Sequence, residues 1–528
     1  MEYDAIVVGG GVAGLTAAAY LSKAGLSVLL CEKEEVCGGL VNNFKRDGFV
    51  YDGGIRALEN SGVLFPMLRQ LGISIDFVPN RISMGIEDKV INLISEESIV
   101  PYQELLETCY PDSRDEISKI IDQIKLIVKY MEVQYGIDNP LFLDMKENKE
   151  YMMREILPWM FKYAVTAPKI MKLNAPVVAF LQRYTQNQSL LDIISQHFFK
   201  ETPAFFAMSY LKLYLDYHYP RGGTGKLASS LVNFIHEHHG EIRNNTEIVE
   251  VDAAGKKLKD SEGITYHYRR LIWAADMQLL YRLLDSETLR DEKTRQAIAE
   301  RRELIAKKTG NDSLFTIFLG VNLGKDYFSN KCTEHFFYTP SRTGQSAAGP
   351  VPFGQDRAAI EKWLDAFFQL TTYEISIPVL RDSNMAPEGK TGLIVSVLFE
   401  YNLTRQVEEQ GWYEDFKAYC EQAIIRVLDE AVFPGLKDSI QHVFSSTPLT
   451  LAKLTGNHEG AITGWSFTNQ PVPAESRLPR IMNAVKTPIP GVYQAGQWTY
   501  SPSGLPIALL TGKIAADQAI KDIKKGKA

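Results

Sequence analysis

The stretch YDAIVVGGGVAG, residues 3–14, predicts a short apolar strand that runs into a tight glycine turn. Its last six residues follow the pattern G-x-G-x-x-G, and residues 15–25 then predict a helix. Strand, glycine turn and helix in this order place the free N–H groups of a helix N-terminus where they can bind a pyrophosphate. The stretch therefore predicts a Rossmann-type dinucleotide site.

The three glycines of the pattern have separate roles. Gly9 permits the tight turn, Gly11 lets a pyrophosphate approach the backbone, and Gly14 lets helix and strand pack closely. A second strand, residues 27–31, ends at Glu32. A carboxylate at this place can accept hydrogen bonds from both hydroxyls of an adenosine ribose. We therefore expect an adenine dinucleotide to bind here.

A second glycine block follows, CGGL over residues 37–40 and GFVYDGG over residues 48–54. An enzyme that binds only NAD does not need this block. It resembles the extended signature of the FAD-containing family that includes phytoene desaturases, carotenoid isomerases, retinol saturase and the flavin amine oxidases. The resemblance implies that the second glycine pair lies beside the pyrophosphate and that the Asp-x-Gly motif lies near the flavin.

The C-terminal part of the chain supports the same resemblance. Residues 490–497, PGVYQAGQ, predict a strand that enters a turn, and a helix opens at Ser-Gly-Leu-Pro over residues 503–506. Family members complete the flavin site with this strand and helix. A helix N-terminus at the pyrimidine edge of the flavin would stabilise the anion that forms when the ring accepts a hydride.

The resemblance implies a set of FAD-binding residues that are spread over the chain. They are Gly9, Gly11, Val12, Ala13, Gly14, Glu32, Lys33, Gly38, Gly39, Leu40, Gly54, Ile55, Arg56, Ile248, Ala274, Gly496, Gln497, Gly504, Leu505 and Pro506. Two positions depart from common family patterns. Leu40 stands where many amine oxidases have Arg, and Gln497 stands where many members have an acid. An amide can still make a neutral hydrogen bond to the flavin ribityl chain.

Two residues are candidates for catalysis. Arg56 would polarise a substrate carbonyl or stabilise reduced flavin, or else it serves in a salt bridge or on the surface. Tyr500, with Trp498 close by, would wall the flavin ring or donate a proton, or else it packs in the core. The histidines show no metal-binding or triad pattern, so the sequence predicts no metal site.

The motifs predict an α/β fold with a discontinuous, Rossmann-like FAD-binding domain of the glutathione-reductase and amine-oxidase type. We assign this domain to residues 1–75, 220–290 and 480–528. An α+β substrate domain, residues 291–479, would carry a helical cap, residues 76–219. We expect these inserted segments to set which substrate is bound. Within the cap, apolar residues recur at helical spacing, for example over residues 115–135.

The segment 151–219 is unusually rich in aromatic residues with interspersed Lys and Arg. Three interpretations stay open: ordinary core packing, the lining of a tunnel for a long apolar substrate, and an amphipathic surface that contacts a membrane. In phytoene desaturase relatives the corresponding insertion serves as a substrate cap and membrane-facing region.

Composition bounds the location and the partners. The 528 residues carry a net charge of −7, which argues against nucleic acid as a partner. Five scattered cysteines suit a reduced, cytoplasmic setting, with peripheral membrane association left open. We expect no secretory signal, because the first strand is entered by Tyr3, and no apolar run reaches the roughly 18 residues of a membrane span.

The resemblance implies an FAD-dependent oxidoreductase that acts on carbon–carbon double bonds. It would desaturate, saturate or isomerise a long apolar substrate such as a carotenoid, another isoprenoid or an unsaturated lipid, by hydride transfer at flavin N5. A single dinucleotide fingerprint is visible, so the electron donor or acceptor stays unidentified. A flavin amine oxidase is one alternative. A prenyl-binding escort protein without catalysis is the other.

Overall fold

The computed structural model describes residues 2–144 and 148–526. Its strands are β1 Glu2–Val8, β2 Val28–Cys31, β3 Asn43–Arg46, β4 Phe49–Asp52, β5 Leu58–Glu59, β6 Phe77–Pro79, β7 Ile82–Ile86, β8 Lys89–Leu93, β9 Tyr217–Pro220, β10 Glu241–Arg243, β11 Ile248–Asp252, β12 Lys257–Asp260, β13 Thr265–Trp273, β14 Leu284–Asp285, β15 Ser313–Val321, β16 His335–Thr339, β17 Tyr373–Ser376, β18 Thr391–Phe399, β19 Ile440–Ser446 and β20 Val492–Gln494.

Helices connect and cover these strands. They are α1 Val12–Lys23, α2 Leu64–Leu71, α3 Ile99–Cys109, α4 Arg114–Tyr135, α5 Lys149–Tyr151, α6 Leu157–Met171, α7 Val177–Leu181, α8 Gln188–Ser195, α9 Ala204–Met208, α10 Tyr210–Tyr214, α11 Gly225–Glu237, α12 Met277–Leu283, α13 Glu292–Ala306, α14 Lys325–Ser329, α15 Arg357–Leu370, α16 Tyr401–Glu409, α17 Tyr413–Ala431, α18 Leu436–Ser439, α19 Pro448–Thr455, α20 Ile481–Ala484 and α21 Leu505–Lys524.

The first large sheet has the order β10-β2-β1-β13-β12-β11-β14, and β20 also pairs with β13. Strands β10, β2, β1, β13 and β20 are mutually parallel. Val8 pairs with both Cys31 and Trp273, and Trp273 pairs with Gln494. The carboxyl ends of four strands therefore meet at one edge, where a Rossmann-type sheet binds its ligand.

Helices cover both faces of this sheet because successive side chains of a strand point to opposite sides. Ala5 and Val7 of β1 pack into a core with α1, α11 and α21. Ile6 and Val8 pack into a second core that includes residues of α12 and α13. Both faces are thus buried, as expected for a parallel sheet.

The second large sheet has the order β19-β15-β18-β17-β16-β7-β8 and is antiparallel except between β16 and β7. Helices α15 and α17 cover one face, where Phe315 and Phe399 contact Phe416. At one end of the opposite face, Phe44 and Tyr51 of the β3–β4 hairpin contact Phe318. The middle of that opposite face carries polar residues.

The region 76–219 is mainly helical and has its own apolar core. Helix α4 agrees with the helical spacing of its isoleucines, which are buried in that core. The region also contains β6 to β9, and two of these strands, β7 and β8, extend the second sheet. The alternation of apolar and polar residues in strands this short is harder to recognise in a sequence than the periodicity of a 22-residue helix. The domain boundaries stay a prediction.

Among the helices in the described ranges 2–144 and 148–526, none combines the length and the apolar content that a bilayer crossing requires.

Candidate functional site

In the glycine turn after β1, an added Cβ would meet other atoms at two of the three glycines and none at the other. Gly9 has φ +104°, and a Cβ there would lie 3.0 Å from the backbone of Ala274. A Cβ on Gly14 would lie 1.9 Å from the carbonyl oxygen of Gly9, whereas a Cβ on Gly11 would meet nothing within 4 Å. Packing therefore requires the first and third glycines, and the second borders free space that a ligand can fill.

Two helix N-termini at this site lack a side-chain cap within the described residues. Helix α1 begins after Gly11, and α21 begins after Gly504 with Pro506 in its first turn. The two helices pack closely, since a Cβ on Gly512 would lie 2.4 Å from the carbonyl oxygen of Ala13. Uncapped N–H groups and the positive ends of the helix dipoles favour anionic groups at both termini.

Glu32 lies at the end of β2 and is buried. Its Oε2 accepts a hydrogen bond from the N–H of Gly10 at 2.6 Å, and its Oε1 accepts one from the N–H of Glu34 at 2.9 Å. Burial raises the pKa of Glu32, and these two N–H groups oppose that rise. The carbonyl of Glu32 accepts the N–H of Thr246, which brings the start of β11, Ile248, to the same edge.

The second glycine block folds back onto the first. Gly38 forms a parallel bridge with Gly11, and its N–H donates to the carbonyl of Gly10 at 2.8 Å. A Cβ on Gly54 would lie 2.0 Å from the carbonyl oxygen of Leu40. Residues 37–39 therefore lie beside the glycine turn, and residues 53–55 lie beside Leu40 and Asn42.

Most of the predicted binding residues are thus brought together. They are Gly9, Gly11, Val12, Ala13, Gly14, Glu32, Gly38, Gly39, Leu40, Gly54, Ile55, Ala274 and Gly496 around the glycine turn and α1, and Gln497, Gly504, Leu505 and Pro506 between β20 and α21. The N–H of Gly496 donates to Thr511 Oγ1 at 2.9 Å, which ties this turn to α21.

Two predicted side chains are engaged elsewhere. Lys33 Nζ donates to the carbonyl of Lys453 at 2.7 Å and lies 3.2 Å from Glu34 Oε1. The Tyr500 hydroxyl donates to the carbonyl of Ser476 at 2.9 Å, and burial raises its pKa far above the ordinary value. These contacts favour a structural role for Tyr500, and its catalytic role stays a prediction.

Asp52, the acid of the Asp-x-Gly motif, is fully buried and links three segments. Its Oδ1 accepts the N–H of Thr224 at 2.8 Å and the Thr224 hydroxyl at 3.0 Å, and its Oδ2 accepts the hydroxyl of Tyr219 at 2.8 Å. The guanidinium of Arg381 lies 4.5 Å from the ring centroid of Tyr219. Asp52 therefore fixes the loop of residues 220–224 against the β3–β4 hairpin.

Arg56 is 4 % exposed and lies between the two sheets. Its Nη1 donates to the carbonyls of Asp52 and Gly54, and its Nη2 donates to Ser396 Oγ at 2.9 Å. Its Nε has no hydrogen-bond partner in the part of the chain that the structure describes. A buried guanidinium with an unpaired N–H favours an acceptor supplied by a bound group.

The inner face of the second sheet continues from Ser396 to a carboxylate. Glu374 pairs with Ser396 in register, so their side chains lie on the same face. Glu374 Oε1 lies 2.9 Å from Nε2 of His335, and rings of the cap lie over this pair, with Tyr217 stacked 6.2 Å from His335. The Glu374 side chain is 29 % exposed although desolvation is the largest influence on its pKa. It therefore faces an internal space.

The aromatic segment serves more than one purpose. Phe180, Phe205 and Tyr214 are buried in the cap or against the second sheet, while Tyr210 and Tyr217 are half-buried over the inner sheet face. A further part, in α6, exposes apolar side chains such as Phe161. Core packing therefore accounts for part of the segment, and the tunnel and membrane interpretations stay predictions.

Sequence motifs gave no signal for Glu374, His335 and Arg381. Each lies on an unremarkable strand or turn, and they meet only through strand register and long-range hydrogen bonds. Asp216 and Glu59, next to the same aromatic rings, were missed for the same reason. Among residues 2–144 and 148–526, no cluster of three or more His, Cys, Asp or Glu side chains is arranged to hold a metal.

Glu59 yields a pH-dependent prediction. Burial raises its pKa from 4.5 to about 7, and Asp216 adds to the rise. Between these pH values Glu59 holds a proton in the folded protein that it has released in the unfolded chain, so its contribution to stability falls as the pH rises through this range. We expect Glu59→Gln to remove this fall. Urea unfolding at pH 4.5 and 7.5 would show the variant gaining stability relative to the parent as the pH rises. If the difference in the free energy of unfolding between variant and parent is the same at both pH values, the prediction is contradicted. Glu150→Gln, at an exposed site, is the control.

Comparisons with known proteins agree with this geometry. Residues 7–71 match a family model described as an NAD(P)-binding Rossmann-like domain. The chain is 23% identical to prolycopene isomerase 1, chloroplastic, of an Oncidium hybrid cultivar, over 99% of this chain and 84% of the relative. It is also 23% identical to a lycopene-forming phytoene desaturase of Pantoea ananas, over 98% of this chain and 99% of the relative.

Solved structures show the same fold. An oxidoreductase from Methanosarcina mazei has a TM-score of 0.62 at 16% identity and covers 99% of this chain and 100% of its own. A variant of putrescine oxidase has a TM-score of 0.61 at 14% identity, with 99% of each chain covered. The predicted Rossmann-like α/β fold and the resemblance to desaturases and isomerases are confirmed. At these sequence identities the similarity to solved structures shows the fold alone.

Proposed function

We propose that this protein is an FAD-dependent oxidoreductase that acts on carbon–carbon double bonds of a long, largely apolar substrate. The observation that carries the proposal is the open space at Gly11, at the uncapped N-terminus of α1, with a buried acid at the end of β2. It is supported by nearly full-length similarity to enzymes named as a desaturase and an isomerase.

The residues fit FAD in this arrangement. The turn at Gly11 and the first turn of α1 would hold the pyrophosphate, and Glu32 would accept the ribose hydroxyls. The N-terminus of α21 would face the flavin, and Arg56 has a buried N–H available for an acceptor. When bound, FAD supplies hydride transfer to or from a carbon of the substrate. The protein supplies binding, orientation and exclusion of water.

The substrate would lie over the inner face of the second sheet. Half-buried rings of Tyr210, Tyr217 and Phe337 cover this face, and an apolar lining of this kind suits a long hydrocarbon chain. The electron donor or acceptor stays unidentified. Whether the enzyme oxidises or reduces its substrate is determined by whether the substrate or another electron donor reduces the flavin.

Anaerobic titration of the purified protein would test the proposal. We expect phytoene or another polyene to bleach the flavin band if the enzyme desaturates. If it saturates, NADH or NADPH should bleach the band and an unsaturated substrate should restore it. Bleaching by amines alone would instead establish an amine oxidase. Prenyl-lipid binding without any redox change would establish an escort protein.

We further propose that α6 and the preceding π-helix, residues 152–156, contact a membrane surface. Their exposed apolar side chains include Leu157, Met160, Phe161 and Val165, and the exposed fraction of Phe161 is 75 %. In α6 itself, a single residue, Thr166, is buried among those the structure describes. Lysines on the same helix would contact anionic headgroups.

Vesicle co-sedimentation would test this contact. Replacing Leu157, Met160 and Phe161 together by Ser should lower binding to phosphatidylserine vesicles by at least about tenfold, because each large apolar side chain contributes about 1.5–3 kcal/mol on burial. Leu304→Ser, at an exposed site on α13, should leave binding unchanged. Equal binding of the triple variant and the parent would rule the contact out.

A further inference from the structure

A carboxylate facing an aromatic-lined space is costly unless something binds it. Glu374 lies in the middle strand of the second sheet, and its side chain is 29 % exposed while that of His335 is 3 % exposed. His335 Nε2 lies 2.9 Å from Glu374 Oε1. In the described part of the chain, no hydrogen-bond donor reaches Glu374 Oε2. One carboxylate oxygen is therefore left for an outside donor.

The surroundings of this pair are aromatic. Phe337 lies beside Glu374 in register on β16, and its ring centroid is 5.1 Å from that of His335. Tyr214 stacks on Phe337 at 5.2 Å, and Tyr217 stacks on His335 at 6.2 Å. Rings thus lie on the cap side of the pair, so the part of a ligand next to the free oxygen would meet aromatic side chains.

The protonation states suit hydrogen-bond acceptance. Glu374 has a lowered pKa: burial opposes this shift, but His335, Arg56 and Arg381 outweigh it. Burial lowers the pKa of His335, so the imidazole is neutral near pH 7. An ionised carboxylate held by a neutral imidazole accepts hydrogen bonds and gains nothing from a plain hydrocarbon.

His335 is itself positioned by further bonds. Its Nδ1 lies 3.3 Å from Asn80 Nδ2, and Asn80 Oδ1 accepts from Arg381 Nε at 2.6 Å. Arg381 also donates to Ser376 Oγ and to the carbonyl of Glu334, both at 2.9 Å. This support holds the imidazole against Glu374, as expected for a binding group that must keep its orientation.

We propose that Glu374 and His335 form a subsite that binds a hydrogen-bond donor, a hydroxyl or an ammonium group, on an otherwise apolar substrate. The inference rests on the proposed function because it places the substrate over the inner face of the second sheet. It narrows the substrate class, since a polyene without polar groups would leave the carboxylate unpaired. An isoprenoid alcohol or a long-chain amine has the required chemistry.

Calorimetric binding of three probes of equal chain length would test the subsite: geranylgeraniol, geranylgeranylamine and geranylgeranyl methyl ether. A hydrogen bond to a charged group corresponds to about ten- to a hundredfold in affinity. We expect the alcohol or the amine to bind the parent protein tighter than the ether by about that factor. Which of the two donors binds tighter identifies the preferred group.

Variants extend the test. Glu374→Gln should reduce the preference for the donor over the ether to about twofold or less, whereas the exposed Glu408→Gln should leave it intact. Glu374→Asp keeps the charge on a shorter side chain, so it should give an intermediate preference. This second variant keeps the test decisive if the Gln variant does not fold. Circular dichroism and the flavin spectrum are recorded for every sample.

The subsite is overturned if the parent binds the ether as tightly as both donors, if none of the three probes binds, or if Glu374→Gln keeps the full preference. The same samples separate this result from the proposed function. A colourless protein that still prefers a donor would refute FAD chemistry and support the subsite. A flavoprotein that binds the three probes equally would support FAD chemistry and refute the subsite.

Discussion

Gly11→Ala is expected to abolish tight FAD binding while the protein stays folded. The backbone of Gly11 has φ −65° and ψ 170°, which Ala adopts without strain, and the added Cβ meets no protein atom within 4 Å. That space is where the pyrophosphate would approach the backbone. We expect FAD affinity to fall at least about a hundredfold, or about 2.7 kcal/mol, with the urea midpoint of the apoprotein unchanged.

Fluorescence titration of apoprotein with FAD, together with urea unfolding, measures both quantities. Gly14→Ala is the contrasting variant, because its Cβ would lie 1.9 Å from the carbonyl oxygen of Gly9 and should disrupt folding itself. Gly324→Ala, whose nearest neighbour would be 3.8 Å away, is the neutral control. Unchanged FAD affinity in folded Gly11→Ala would show that the space beside the turn is not the pyrophosphate site.

Asp52→Ala is expected to destabilise the protein by about 3 kcal/mol or more. The change leaves the N–H of Thr224 and the hydroxyl of Tyr219 without their acceptor in a fully buried place, and the Thr224 hydroxyl keeps only the carbonyl of Asn42, at 3.3 Å. Each buried donor without an acceptor costs about 1–3 kcal/mol. The loop of residues 220–224 would also lose its attachment to the hairpin, so we expect weaker FAD binding as a second effect.

Urea unfolding of the apoprotein measures the loss in the free energy of unfolding. Lys45→Ala provides a control on the same hairpin, since the Lys45 side chain is exposed. Asp52→Asn, which retains an acceptor oxygen, should lose less than Asp52→Ala. A loss below about 1 kcal/mol in Asp52→Ala, within the range of ordinary surface changes, would contradict the structural role of this acid.

The dinucleotide site could be predicted because its parts are local. Gly9, Gly11, Gly14 and Glu32 lie within one strand–helix–strand unit, and each has a role that few residue types fill. The second glycine block and the C-terminal turn were then placed by resemblance, and the parallel register of β1, β2, β13 and β20 brings them to one sheet edge. The fold class followed from the same parts.

The inner face of the second sheet could not be predicted. Arg56 reaches Ser396 across 340 positions of sequence, and the pairing of Glu374 with His335 depends on the register between β16 and β17. The sequence pattern of a strand in the middle of a sheet is the same whether or not one of its residues has a function. Asp52 was expected near the flavin, but its bonds to Tyr219 and Thr224 became visible only in the folded chain.

Reconstitution of the purified protein with FAD, followed by gel filtration and a visible spectrum, tests directly whether the protein binds FAD. We predict a retained flavin absorption band at one FAD per chain, and retention of NAD or NADP under the same conditions is not expected. A colourless protein after reconstitution, or one that retains a nicotinamide dinucleotide in place of FAD, would contradict the central claim.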